Sequence, residues 1–497
     1  MRPSTRPATG RAPAGGADAR AVPRHGPENV CEGGLDLLDL HSFLARHRDE
    51  HIVVEKPVKL DQVGALVAEA GDTIVFEKLE GYEGFRLVDL LFVNRRAQAR
   101  VLGCEPREVV RALAEVIRRG PRPLKEVPDG PCQERVLTGD DVDLSLLPIV
   151  RHTELDPYPY ATSFAVHKDP ETGQYNQMFP RCGVLGPREM VTSYVTPTAQ
   201  RILAKHKAAG TKMPQAIAIG THPAWELAGC YSYLHEGWWE AQLFEAITGE
   251  PGMVTRCRTV ELVVPADASI VIEGFVDPER TAQDGPNPGP TMLYTPYIQQ
   301  QPVFEVTAVT MRRDPIYRHH QVTPFTDHQE MPRLFHEAII YERLRAMGMK
   351  VHDVHFPQGG GSLAVIIQLE PAYDGQVTDA LLATLGSPWL NTKMAIAVDP
   401  DIDIYDYRDV MYALATRVDP ARHVITIPNA RAFPFDPTGE PVRGAFPHTE
   451  DTRFPSLVGK WGIDATKPPA YRAAERRNYE RAWPIGWGEV HLEDFLK

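Results

Sequence analysis

The segment Lys168 to Arg181, KDPETGQYNQMFPR, holds the densest chemistry in the chain: a charged turn that closes a predicted strand, then Asn176 set five residues before Arg181. An asparagine oxygen ligates hard metal ions, and arginine offers a planar fork to a carboxylate or phosphate. Glu240 follows in HEGWWEAQLFEAITG and Asp284 in ERTAQDGPNPGP. Arg181 would receive an anion, Asp284 would act as a general acid, and Asn176 and Glu240 would supply two oxygen ligands. Such a set suits the removal of carbon dioxide from a carboxylic acid.

Other residue groups weigh less. Cys182 directly follows Arg181, but no histidine is paired with it in sequence, so a buried small side chain is the simpler reading. His319, His320 and His328 titrate in the useful range and could replace a missing acid; nothing in the sequence places them. Asp399, Asp401 and Asp403 would share one face of a strand and mimic a metal site, yet a structural role is expected. Gly359 to Gly361 lack the following lysine and helix of a phosphate loop, and no GxGxxG or Walker pattern occurs, so neither NAD nor ATP is implied.

The elements that must position these groups fall into blocks. With 497 residues, 43% hydrophobic and 24% charged, the chain has the composition of a globular protein of several domains. Lys and Arg total 53 against 66 Asp and Glu, and the net charge of −13 repels nucleic acid and anionic lipid. Six scattered cysteines without a CxxC pair suggest neither a disulfide framework nor a zinc site and fit reducing cytoplasm. No apolar run approaches the length that a membrane span requires. Residues 1–34, rich in Arg, Ala, Pro and Gly, read as a disordered tail, since Pro and Gly spoil the amphipathic helix of a transit peptide.

Residues 35–125 alternate as a small α/β domain, with helices at Leu60 to Ala70 and after Pro106 and a strand at Thr73 to Leu79. Pro121, Pro123, Pro128, Gly130 and Pro131 mark a boundary. Residues 135–325 turn to strands (Ala161 to His167, Gln215 to Gly220, Thr259 to Val264, Ser269 to Val276, Val303 to Met311), for which a barrel or split barrel is the natural closure. One helix interrupts them near Trp238, with Trp239, Leu243, Ala246 and Ile247 as its buried stripe and Gly249 as its stop. Residues 331–436 form a second α/β domain, including a strand from Met394 to Ile404, and residues 437–497 read as a tail that docks on another surface.

In order and spacing these segments resemble the UbiD family of decarboxylases, which use a prenylated FMN held through its phosphate by a divalent metal. The resemblance runs from about Leu35 to about Asp436, carried by KDPETGxxN(x4)R, the EAQLFEAITG stretch at Glu240 to Gly249, VVPADASIVIEG and SPWLNTKMAIAVDPDIDIYD. It implies a UbiD-like α+β architecture: an N-terminal α/β domain, a central split β-barrel that binds the flavin, and a C-terminal α/β domain that packs in a homodimer or higher homo-oligomer. Arg181 then matches the arginine beside the flavin. Asn176 and Glu240 match two of three ligands to Mn2+ or Mg2+, and K+ belongs to the same list of ions. The third ligand of the family, a histidine, is missing from VTPTAQRILAKHKAAG, where Thr198 or Gln200 would take its place and His206 lies too far along. Asp284 matches the first catalytic glutamate, but Gly289 stands where a second glutamate is usual. Asp284 would then hold the arginine and donate the proton by itself, unless water or another side chain protonates the product.

The resemblance implies reversible non-oxidative decarboxylation, with a flavin prenyltransferase supplying the cofactor. The departure at DGPNPGP and the composition of the tail favour an α,β-unsaturated acid, such as a natural-product intermediate, with an aromatic or heteroaromatic acid as the alternative. Two further classes stay open: a flavin-free metal-dependent lyase or hydrolase, and a non-catalytic flavin carrier.

Overall fold

A computed structural model describes residues 38–496, apart from 195, 233–236, 289–293, 296–298, 388–390, 433–435 and 442–455. The expected tail 1–34 and Gly289 therefore lie outside the described residues.

Near the N-terminus, the helix Leu60–Ala70 ends where Gly71 takes a left-handed conformation that costs glycine nothing. A second helix, Val109–Arg119, buries Val109, Val110, Leu113 and Val116 and packs on the helix Leu334–Ala346. Strands Ile52–Val54, Ile74–Phe76 and Arg86–Asp89 form a small sheet, and Ile316–Arg318 joins it from far along the chain, parallel to Arg86–Asp89. That strand ties the N-terminal unit to the segment carrying His319, His320 and His328.

The central sheet has nine antiparallel strands. In spatial order they are Tyr160–Ala161, Arg181–Gly186, Glu189–Ser193, Gln299–Met311, Ile270–Asp284, Met213–Ile219, Phe164–Lys168 and Tyr175–Met178, with Arg135–Thr138 paired to Gln299–Met311 off this path. The strand path does not close on itself among the described residues, as a split barrel requires. The two long strands pair along most of their length, with register shifts between Glu273 and Gly274 and between Asp277 and Thr281. Each shift adds twist, and beyond the second one the strand runs on to Asp284, opposite Gln299.

The C-terminal sheet departs from the sequence reading in two places. Its order is Lys350–His355, Ala364–Glu370, Met394–Val398, Ser456–Ala465, Val424–Ala432. Ser456–Ala465 runs parallel to Met394–Val398 as an interior strand, so the stretch expected to be only a docking tail completes the sheet instead. Gly459, Lys460 and Gly462 interrupt its apolar run and hid it; Lys460 is nevertheless buried, its ammonium donating to the Leu385 carbonyl at 3.1 Å. The strand expected to reach Ile404 stops at Val398. Beyond it, the aspartates leave the ladder for cations: Asp399 meets Arg476 at 2.6 Å, Asp401 meets Arg417 at 2.7 Å and Lys467 at 2.9 Å, and Asp403 meets Arg107 at 2.7 Å. These pairs give the three carboxylates a structural occupation.

Candidate active site

The hairpin of Phe164–Lys168 and Tyr175–Met178 sets Asn176 opposite His167. Its turn is closed by Asp169, whose carboxylate accepts from the N–H of Glu171 at 3.0 Å and Thr172 at 3.2 Å and pairs with Lys205 at 2.8 Å, while Gly173 adopts φ +71°. Tyr175 stacks on Trp239, with ring centres 4.8 Å apart, and this contact brings Glu240 to the hairpin. Glu240 Oε2 accepts from the Gln177 N–H at 3.0 Å. Burial pushes the Glu240 carboxyl up to about 7, and backbone donors offset only part of that. The Nδ2 of buried Asn176 has no hydrogen-bond partner. A buried carboxylate with no cationic neighbour to compensate it fits a bound cation. The two expected ligands are thus adjacent.

The expected stand-ins for the missing histidine behave differently. Gln200 is exposed and its amide donates to the Tyr194 carbonyl at 3.0 Å, and Thr198 is exposed on the same helix. His206 packs at the far end of that helix against Thr211, at 3.0 Å. No group of three or more His, Cys, Asp or Glu among the described residues could hold a metal ion, so further ligands to a cation at Asn176 and Glu240 would come from phosphate oxygen and water.

Arg181 opens the strand Arg181–Gly186 directly after Pro180 and sits opposite Ser193. One terminal nitrogen, Nη2, donates to both oxygens of Asp284, at 2.8 and 2.7 Å. The pair is poorly solvated, with side chains 15% and 3% exposed. Arg181 Nε is buried with no acceptor among the described residues. Tyr160 is a member that sequence reasoning missed. Its hydroxyl donates to Asp284 Oδ1 at 2.8 Å and its ring lies 4.6 Å from the Arg181 guanidinium carbon. No motif marks it, because only the strand register brings it beside Arg181.

Behind this pair lies a buried histidine-rich wall. His328 is partly exposed and makes no hydrogen bond among the described residues; burial, His320 and Arg181 pull its imidazole down to about 4. His152 stacks edge-on against His319 at 4.9 Å, and burial followed by neighbouring His319 holds it neutral. His320 Nε2 lies 3.3 Å from Glu226, which also pairs with fully buried Arg318 at 3.2 Å. Arg318 reaches Asp89 at 2.9 Å and Asp327 at 2.5 Å, so one guanidinium ties the N-terminal sheet to the helix Pro223–Gly229, which carries Glu226, and to the helix Asp327–Glu330, which carries His328. Cys182 is not a nucleophile: burial pushes its thiol up to about 12, and its sulfur contacts Thr192 Oγ1 at 3.4 Å.

The family model described as the 3-octaprenyl-4-hydroxybenzoate carboxy-lyase Rift-related domain matches residues 125–324, and its C-terminal domain matches residues 330–465. The chain belongs to the UbiD family of carboxy-lyases. The anhydromevalonate phosphate decarboxylase of Methanosarcina mazei is 29% identical over 448 residues, covering 88% of this chain and 98% of that protein. The UbiD-class enzyme HmfF of Pelotomaculum thermopropionicum, solved with FMN, superposes with a TM-score of 0.82 at 28% identity over 92% of this chain and 100% of its own. An evolved dimeric form of HmfF, solved with prenylated FMN, gives a TM-score of 0.79 at 28% identity with the same coverage. The 3,4-dihydroxybenzoic acid decarboxylase of Klebsiella pneumoniae, at 23% identity and a TM-score of 0.80 over 92% of this chain and 99% of its own, shows the shared fold. No helix among the described residues is long and apolar enough to cross a membrane.

Proposed function

We propose that this UbiD-family chain catalyses the reversible non-oxidative decarboxylation of an α,β-unsaturated carboxylic acid with prenylated FMN. The carrying observation is the buried Arg181–Asp284 pair, in which Asp284 occupies one Arg181 nitrogen while Nε has no acceptor. Asn176, through its amide oxygen, and Glu240 would hold a divalent cation, which would supply positive charge for the cofactor phosphate. When bound, prenylated FMN supplies the acceptor for the electrons released as carbon dioxide departs. Arg181 orients the substrate carboxylate through charge-assisted hydrogen bonds. Asp284 anchors Arg181 and, when protonated from solvent, delivers a proton to the product carbon. The low exposure of both side chains strengthens these interactions by excluding water.

The name of the Methanosarcina mazei relative describes a dehydrated, and so unsaturated, hydroxy acid, which favours the acrylic-type reading. An intermediate of natural-product biosynthesis fits the same chemistry, as do a cytoplasmic location, a homo-oligomer and a flavin prenyltransferase supplying the cofactor. Protein co-expressed with a flavin prenyltransferase should release carbon dioxide from 2-enoic acids faster than from benzoic acids, followed by headspace mass spectrometry. The opposite ranking would overturn the substrate class.

A further inference from the structure

Tyr160 is built into the Arg181–Asp284 pair from two sides. Its hydroxyl donates to Asp284 at 2.8 Å, and its ring carries the Arg181 guanidinium at 4.6 Å. The residue is 1% exposed. Its backbone is fixed as well: the N–H donates to the Val150 carbonyl at 3.1 Å, and the carbonyl meets His152 Nε2 at 3.3 Å. Burial, followed by the Asp284 charge, raises the phenol far above its ordinary value, so the hydroxyl stays protonated and stays a donor.

The seat for this ring is prepared on the opposite strand. Gly183 pairs directly with Tyr160 in register. A Cβ on Gly183 would stand 2.7 Å from Tyr160 Cε1, 2.9 Å from Tyr158 Cδ2 and 3.0 Å from Val191 Cγ1. The missing side chain leaves the space in which the Tyr160 ring lies beside Arg181, two residues away on the same face.

We propose that Tyr160 is the positioning residue of the proton-transfer step, holding Asp284 against Arg181 and stabilising the carboxylate that remains when the proton has left. The inference rests on the decarboxylase reading above. In the step, the O–H bond of the Asp284 carboxyl breaks, and its proton forms the new C–H bond with the electron pair on the substrate carbon. The carboxylate left behind accepts from Tyr160 O–H and Arg181 Nη2, and water returns the proton for the next cycle.

The test uses full-length holoenzyme with 3-methylbut-2-enoate as the probe acid, together with infrared difference spectra of protein labelled with [4-13C]aspartate. Tyr160→Phe keeps the ring and removes one hydrogen bond to a charged group, so kcat should fall about ten- to a hundredfold with KM unchanged. The carboxylate band assigned to Asp284 by its disappearance in Asp284→Asn should shift in Tyr160→Phe. Gly183→Ala, which touches no substrate, should shift the same band by displacing the ring. An unshifted band in both variants overturns the proposal, as does wild-type kcat in Tyr160→Phe. If wild type fails to turn over the probe, the substrate reading is at fault and the band alone decides for or against Tyr160.

Discussion

Asp284→Asn probes whether Arg181 and Asp284 act as one unit. The substitution keeps the side-chain shape but leaves the guanidinium of Arg181 without its counter-charge at a position only 15% exposed. Breaking a fully buried pair from one side costs about 3–5 kcal/mol. The residual exposure of Arg181 lowers that, and losing the charge-assisted contacts at 2.7 and 2.8 Å places the expected destabilisation at about 2–4 kcal/mol. Arg181→Met combined with Asp284→Leu removes both charges and fills similar volume, so the double variant should lose less than Arg181→Met and Asp284→Leu, each made alone, lose in sum. The difference, a coupling of about 2–3 kcal/mol, is read from urea unfolding of the cofactor-free protein followed by circular dichroism. Additivity within about 0.5 kcal/mol would mean that the pair behaves like a solvated surface bridge. Asp284 could then not be the anchor of Arg181.

Further predictions concern turnover, metal and pH. Asp284→Asn should remove most turnover while leaving flavin bound, and Arg181→Ala should also raise KM; near-wild-type rates in Asp284→Asn would shift the acid's role to His328 or water. Glu240 is pushed up to about 7 by burial when no cation is present. A metal must displace that proton, so Mn2+ affinity, measured by electron paramagnetic resonance, should weaken by up to about tenfold per pH unit below 7. Glu240→Gln should flatten that dependence, and an equal slope in the variant would refute the ligand assignment. Buried His167 is held down to about 4 by burial, offset in part by its hydrogen bond to Gln215. Its folded pKa lies below the unfolded value of 6.5, so the unfolded chain binds more protons between these limits and stability falls as pH drops through that window. The group accounts for about 3 kcal/mol of that loss by pH 4, and urea unfolding of His167→Gln at pH 7 and pH 5 should show a shallower decline.

Local patterning carried much of the fold. The helix Leu60–Ala70 was legible from its periodicity, and the stripe Trp239, Leu243, Ala246 and Ile247 was legible from 3.6-residue spacing with Gly249 as its stop. Ser456–Ala465 was hidden because its place between parallel strands is a long-range pairing, and two glycines and a buried lysine blur its alternation. The aspartates after Val398 looked like a strand face because alternation cannot reveal that Pro400 ends the ladder and that cations from distant segments wait beside them. In the site, Arg181, Asp284, Asn176 and Glu240 could be selected because their motifs are dense in chemically specific residues. Tyr160 could not, since its role depends on facing Gly183 across a strand pair. His320 and His328 reach the neighbourhood of Arg181 through the strand Ile316–Arg318 and the Arg318 charge network, and both are tertiary facts.

The most direct measurement is a mass and visible spectrum of the purified protein after co-expression with a flavin prenyltransferase, taken together with carbon dioxide release from a 2-enoic acid. The account predicts bound prenylated FMN, dependence of its retention on Glu240, and turnover that Asp284→Asn abolishes without loss of the cofactor. Protein that takes up no flavin under these conditions, or that releases carbon dioxide without it, would contradict the account.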